Sequence, residues 1–238
     1  MTPETAPDTT HPSPESEGRF ALLFSGGLDT TLEVVERMKT HREAHLLTFN
    51  NGYCINTKGG VRRAGEMKDR FGDDRIFDLL INTKPLMQTI LHDFKALWKE
   101  YRSPLIIDMG CKMAAVTELI LYAKKNNIEE ISDGAAVEQT QIFLQHPEFS
   151  AHVKPLISAY GLRFLKPLLF DMGREDKIAM LNALDFDGAG AKYWPWWERH
   201  YPECERWPVQ KEKDPGEAFK SGVNIREWVK AGLPRGLK

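Results

Sequence analysis

The sequence predicts an α/β fold with a doubly wound, five-stranded parallel sheet. From residue 20 onward, short apolar runs alternate with helical patterns, as they do in successive βαβ units. The first run, residues 20–24, is apolar without alternation, which is typical of a strand covered on both faces. With 238 residues, 42% of them hydrophobic and 28% charged, the chain has enough apolar surface for a full core. Collagen, coiled coil and wholesale disorder are excluded.

Each predicted strand leads into a helical pattern. After the first strand, Leu28, Leu32, Val35 and Met38 recur at helical spacing. The later strands are predicted at residues 44–49, 75–81, 128–132 and 162–165. The later helices are predicted at residues 61–71, 86–101, 112–126, 148–159 and 174–184.

The two ends of the chain differ in composition from the middle. Residues 1–17 hold four prolines, four acidic residues and almost no apolar side chain, which predicts a disordered tail. Residues 18–191 form the predicted domain. Residues 192–238 hold five of the six tryptophans and form a small Trp/Pro-rich extension. We expect these aromatic side chains to pack on the core, or to act as a lid or stacking surface for a planar substrate.

Charge and cysteine content restrict the partners. The 32 basic and 34 acidic residues nearly balance, which gives no reason to expect nucleic acid as an obligatory partner. No apolar stretch approaches the roughly 20 residues that cross a bilayer, and no secretory signal is visible, so we expect a cytoplasmic protein without membrane contact. Three cysteines without a C-x-x-C pair predict neither a disulfide framework nor a zinc site. A homodimer stays an open alternative to a monomer.

The turn after the first strand carries the strongest chemical signal. Ser25-Gly26-Gly27 joins a strand to a helix, and such a turn places backbone N–H groups and a helix N-terminus in one anion-binding concavity. The glycines let the backbone approach phosphate oxygens closely. The hydroxyls of Ser25 and Thr30 can donate to phosphate, and Asp29 can cap the helix or reach Mg²⁺. The pattern predicts binding of a nucleotide polyphosphate, although it is neither a Walker loop nor a G-x-G-x-x-G turn.

The string F-S-G-G-L-D-T-T resembles the PP-loop family of N-type ATP pyrophosphatases, whose signature is S-G-G-x-D-[ST]. The resemblance implies that ATP is cleaved between its α and β phosphates, with Mg²⁺, so that a substrate oxygen is adenylated and AMP and pyrophosphate are released. Catalysis would come mainly from positioning and charge stabilisation. The nucleotide-binding residues that it implies are Phe24, Ser25, Gly26, Gly27, Leu28, Asp29 and Thr30, with Thr48, Phe49 and Asn50 beside the adenine.

Within this family, further segments are similar to 7-cyano-7-deazaguanine synthases. They are L-T-F-N-N-G-Y at residues 47–53, H-P-E-F at residues 146–149, and a P-L segment at Pro167 and Leu168 that is followed by Lys177. The likeness implies ligase chemistry with ammonia or an amine as acceptor. Those synthases carry a C-terminal cysteine cluster, whereas this chain has only Cys204 there, so we expect a changed substrate.

A second resemblance leads to a different activity. C-K-M-A-A-V at residues 111–116 and I-S-D-G-A-A-V-E-Q-T at residues 131–140 are similar to segments of tRNA 4-thiouridine synthetase. The likeness implies sulfur transfer to RNA. Cys111, near the start of a predicted helix, would be the reactive thiolate and Cys204 a resolving thiol. A third reading is a nucleotide-binding subunit or sensor without catalysis.

Several charged residues follow predicted strands at the carboxyl edge, where doubly wound sheets bind ligands. Asp133 and Gly134 end the fourth strand, and Asp133 is a candidate catalytic residue and Mg²⁺ contact or an ordinary helix cap. Lys177 is a candidate for neutralising phosphate charge. Candidate substrate-binding residues are Lys58, Arg62, Arg63 and Glu138, for which a solvated surface position is the alternative. Asp108 has similar status.

Overall fold

The computed structural model describes residues 18–52, 57–101, 105–134, 147–166, 168 and 171–186. The predicted N-terminal tail and C-terminal extension lie outside this part of the chain. So do Glu138 and Cys204, each a candidate site residue. Within the described part, no helix has the length and apolarity needed to span a bilayer.

Five parallel strands form one sheet, as predicted, and their order is β3-β2-β1-β4-β5. They are β1 (Arg19–Leu23), β2 (Glu43–Asn50), β3 (Ile76–Asn82), β4 (Glu130–Ser132) and β5 (Arg163–Phe164). The central strand is β1, whose Phe20 is opposite Ala44 of β2 and Glu130 of β4. The chain winds outward in both directions from β1, so the crevice for ligands lies at the carboxyl ends of β1 and β4.

Helices cover both faces of this sheet. One layer consists of α1 (Leu28–Arg37), α2 (Thr57–Phe71) and α7 (Arg174–Ala183). The other consists of α3 (Lys84–Ile90), α4 (Phe94–Tyr101), α5 (Leu105–Lys125) and α6 (Pro147–Ala159). Side chains of β1 point alternately into the two layers. Phe20 and Leu22 join the core under α1 and α2, whereas Ala21 and Leu23 join the core under α5.

Three predicted helices have different bounds in the structure. The helix predicted at residues 86–101 is two helices, because the chain turns after α3 and restarts beyond Asp93, a residue type that favours the start of a helix. The helix predicted from residue 112 begins at Leu105, since Ile106, Met109 and Met113 continue its buried face toward the N-terminus. Cys111 therefore lies in the second turn of α5 and not at its N-terminus, which corrects the sequence-based prediction.

The helix predicted from residue 61 begins at Thr57, so Gly59 and Gly60 lie in its first turn and not in a separate loop. A Cβ on Gly60 would lie 2.8 Å from Oγ1 of Thr48 and 3.3 Å from the carbonyl oxygen of Ser25. The missing side chain lets α2 pack against both β2 and the turn that follows β1. Gly60 is therefore explained by helix packing.

Candidate active site at the carboxyl edge of the sheet

The turn between β1 and α1 is held in a shape that requires glycine. Gly26 has φ +71°, a left-handed conformation that strains other residues. A Cβ on Gly26 would lie 2.8 Å from Cα of Gly60 and 2.9 Å from the carbonyl oxygen of Gly59. The turn is thus pressed against the start of α2, and no side chain fits between them.

Hydrogen bonds within the turn fix its hydroxyl groups. The N–H of Gly27 donates to Oγ of Ser25 over 3.2 Å, and Oγ1 of Thr30 donates to the carbonyl of Gly27 over 3.3 Å. Gly27 is the N-cap of α1 and supplies no side chain, so the helix N-terminus has no side-chain cap there. Asp29 lies in the first turn of α1 and does not cap it. The first N–H groups of α1 have no partners within the helix, which suits this end to an anion.

Asp29 instead forms an ion pair with a lysine that lies 148 residues later in the chain. Nζ of Lys177, on α7, lies 2.8 Å from Oδ1 of Asp29. The Lys177 side chain is fully buried, whereas 19% of the Asp29 side chain is exposed. The structure therefore brings two predicted site residues, Asp29 and Lys177, into contact beside the turn. A buried ammonium is tolerated only with such a partner.

Asp133 and Gly134 form the next wall of the crevice. Gly134 has φ +63°, and a Cβ there would lie 2.6 Å from Cγ2 of Thr30, so this segment packs against the first turn of α1. Oδ2 of Asp133 lies 3.4 Å from Nζ of Lys112, which α5 contributes from the opposite helical layer. Both side chains of this pair are about nine-tenths buried. Lys112 was not predicted as a site residue, since it reads as an ordinary charged position of a helix.

The residues predicted to lie beside adenine have several roles in the structure. Oγ1 of Thr48 donates to the carbonyl of Phe24 over 3.0 Å, and both side chains are buried. Phe24 and Thr48 thus support the turn from beneath. Phe49 packs partly buried on the core under α5. Oδ1 of Asn50 accepts a hydrogen bond from the N–H of Gly52 over 3.0 Å. Leu28 is partly buried against the core under α1 and α2.

The three predicted cations of α2 separate into two groups. Arg63 is buried, contacts Glu66, and its Cζ lies 5.5 Å from the ring centre of Phe186. Lys58 and Arg62 are exposed, and Arg62 forms an ion pair with Glu66 at 3.0 Å. Arg63 is therefore part of the packing between α2 and the segment after α7, whereas Lys58 and Arg62 face solvent.

Cys111 lies near the carboxyl end of β2. Nδ2 of Asn51 donates to Sγ of Cys111 over 2.9 Å, and Sγ of Cys111 lies 3.5 Å from Sδ of Met87. Asn51 is 4% exposed and follows β2 directly. The sequence did not single out Asn51, because an asparagine after a strand is common in turns.

Titratable groups with shifted pKa values lie elsewhere in the fold. Burial lowers the pKa of His41, whose Nε2 lies 2.8 Å from Oε2 of Glu130. Burial also lowers the pKa of His45, whose Nδ1 lies 2.8 Å from the hydroxyl of Tyr122. His41 and Glu130 lie near the start of β4, at the edge of the sheet opposite to the glycine turn.

The described residues include no group of three or more His, Cys, Asp or Glu that could hold a metal ion. A Mg²⁺ ion bound together with a nucleotide needs fewer protein ligands, because phosphates and water complete its shell. The partly exposed carboxylate of Asp29, next to the open helix N-terminus, fits such an ion.

Comparison with solved structures agrees with this architecture. A 4-thiouridine synthetase, solved as an RNA complex with bound ATP, superposes with a TM-score of 0.51 at 14% identity over 91% of this chain, which spans 53% of that protein. NMN synthetase from Francisella tularensis superposes with a TM-score of 0.50 at 15% identity over 93% of this chain and 87% of its own. No protein-family model and no curated protein sequence matches the chain. The chain therefore has the adenine nucleotide alpha hydrolase-like α/β fold.

Proposed function

We propose that this protein is an ATP-dependent, AMP-forming enzyme that adenylates a small substrate. The observation that carries the proposal is the glycine turn at residues 25–30, which follows the central strand, packs against α2 without intervening side chains and opens onto an uncapped helix N-terminus. A turn of this shape at the carboxyl edge suits the outer phosphates of a nucleotide.

The reaction needs charge compensation more than covalent help from the protein. A substrate oxygen attacks the α phosphorus of ATP, the bond to the bridging oxygen of the β phosphate breaks, and pyrophosphate leaves. A nucleophile, ammonia or an amine in this reading, then displaces AMP. The N–H groups of α1 and the hydroxyl of Ser25 hold the departing pyrophosphate. Lys177 offsets its growing negative charge. Mg²⁺, held by the phosphates and Asp29, would supply further charge stabilisation.

The acceptor would bind on the far wall of the crevice. Asp133 and Lys112 form a nearly buried ion pair there, so they present a donor and an acceptor to a polar heterocycle or carboxylate. Gly134 brings this wall against Thr30 of the glycine turn, which makes a direct transfer from ATP geometrically reasonable. This arrangement supports 7-cyano-7-deazaguanine synthase-like ligase chemistry on a different substrate.

One observation favours sulfur transfer to tRNA as a second candidate. Cys111 lies at the same edge of the sheet and is fixed by Asn51. In that reaction Cys111 would carry the sulfur and Cys204 would resolve the intermediate. Cys111→Ser abolishes RNA thiolation under this reading, whereas it leaves a ligase active, because a serine hydroxyl can also accept the hydrogen bond from Asn51.

The experiment is a nucleotide-product assay by mass spectrometry. Mg·ATP is incubated with ammonia and, in separate reactions, with carboxy-deazaguanine, free bases, tRNA and a small-molecule cell extract. We expect AMP and pyrophosphate, lost in Asp29→Asn and kept in Asp78→Asn, a matched change in a lysine-paired carboxylate on β3. ADP and inorganic phosphate as products would contradict the proposal. ATP binding without AMP from any mixture would indicate a nucleotide sensor.

A further inference from the structure

Another buried ion pair lies on α1, one helical turn beyond Asp29. Glu33 of α1 is 2% exposed, and its Oε1 accepts a hydrogen bond from Nε of Arg37 over 2.6 Å. In sequence, a Glu and an Arg four residues apart look like a surface pair of a helix. Here both side chains are inside the protein, so the contacts of Glu33 need a structural reason.

Glu33 joins three parts of the fold that carry candidate site residues. Its Oε1 also accepts a hydrogen bond from Oγ of Ser132 over 3.3 Å. Ser132 is the last residue of β4 and directly precedes Asp133. Its Oε2 accepts from the backbone N–H of Leu168 over 2.8 Å. Arg37 in turn donates to the carbonyl of Lys166 over 2.7 Å. Residues 166 and 168 belong to the connection from β5 to α7, the helix that carries Lys177.

We infer that Glu33 is a positioning residue that sets the distances between Asp29, Asp133 and Lys177. Asp29 lies on the same helix as Glu33, Asp133 follows the strand that Glu33 holds through Ser132, and Lys177 follows the segment that it holds through Leu168. The inference rests on the proposed function only in treating these three as site residues. In the described part of the chain, Glu33 accepts from Arg37, Ser132 and Leu168, so the role requires a carboxylate.

Glu33→Gln tests this requirement. Whichever way the amide is turned, its NH₂ group faces an N–H donor, either from Arg37 or from Leu168, and one tether is lost. We expect the connection from β5 to α7 to open more often and to expose the buried amine of Lys177. The readout is acetylation of lysines by acetic anhydride, followed by peptide mass spectrometry. Lys39, whose side chain is 62% exposed, is the internal standard.

Two further variants separate positioning from general loss of stability. Glu130→Gln removes another buried carboxylate, paired with His41 and Arg163 at the opposite edge of the sheet. The double variant E33M/R37M removes both buried charges at similar volume, which keeps stability near that of the wild type while the tethers to Leu168 and Lys166 stay lost. We expect labelling of Lys177 to rise about tenfold in E33Q and in E33M/R37M, and not in E130Q.

Binding of Mg²⁺ with α,β-methylene-ATP, measured by calorimetry, forms a second arm and should weaken about tenfold in the two Glu33 variants. If the wild type does not bind this analogue, the proposed function fails while the labelling result still decides the role of Glu33. Wild-type labelling of Lys177 in a folded E33M/R37M protein would overturn the inference. Equal labelling in E130Q and E33Q would do the same.

Discussion

The contact between Asp29 and Lys177 predicts an unequal pair of stability effects. The Lys177 side chain is fully buried, whereas 19% of the Asp29 side chain remains in contact with solvent. Asp29→Asn leaves a buried ammonium without this carboxylate, and breaking a buried pair in this way costs about 3 kcal/mol, the lower end of the usual range because water reaches one partner. Lys177→Met leaves a carboxylate that can hydrate and costs about 1 kcal/mol.

Thermal unfolding followed by circular dichroism measures the difference. For a domain of this size the two costs correspond to melting temperatures lowered by about 6 to 12 °C for D29N and about 2 to 4 °C for K177M. The double variant should resemble K177M, because the buried charge is gone. Lys39→Met is the matched control, because it removes the exposed lysine of an ion pair with Glu36, and it should change the free energy of unfolding by less than about 0.5 kcal/mol. A K177M protein as destabilised as D29N would refute the argument from burial.

Further outcomes follow from other parts of the structure. Gly26→Ala should lower the free energy of unfolding in urea by about 2 to 4 kcal/mol, since a positive φ and backbone atoms less than 3 Å away oppose a Cβ. Gly27→Ala, at φ −73°, should lower it by less than about 1 kcal/mol, and equal effects of the two variants would contradict this. Burial lowers the pKa of His41 and His45, so near and below about pH 6.5 the unfolded chain binds more protons than the folded protein does. The free energy of unfolding therefore decreases as the pH is lowered through this range. The fall should be smaller in H41N/H45N, and an unchanged slope between pH 5.5 and 7.5 would refute it. Thr48→Val should lower the free energy of unfolding by about 1 kcal/mol, because the hydrogen bond to the carbonyl of Phe24 is lost. The same variant should bind Mg²⁺ with α,β-methylene-ATP more weakly in calorimetry. Wild-type affinity would show that this hydrogen bond does not shape the glycine turn.

The strand pattern and the glycine turn could be predicted from the sequence because both depend on local information. The central strand β1 is a continuous apolar run after Arg19, and such a run needs two covered faces whatever surrounds it. The turn is defined by glycines within one short string, so its conformation and its place at the carboxyl edge follow directly. Contact between Asp29 and Lys177 is of another kind, because 148 residues separate them and only the path of the chain brings them together.

The residues that the sequence did not reveal owe their roles to tertiary packing. Lys112 and Glu33 have ordinary helical surroundings in sequence, and only their burial against β4 and its neighbours distinguishes them. The helix boundaries were wrong for a related reason. Gly59 and Gly60 predict a loop by propensity, but the close approach of Gly60 to Thr48 favours the helix.

The hydroxyl of Thr48 connects the expected binding places of the base and of the phosphates. It lies under the expected position of the base, and its hydrogen bond holds the carbonyl of Phe24, which directly precedes the glycine turn. Under the proposed function, a change made there to alter base preference would also change how the triphosphate is held. Under that proposal, redesign of base preference has to begin further along β2.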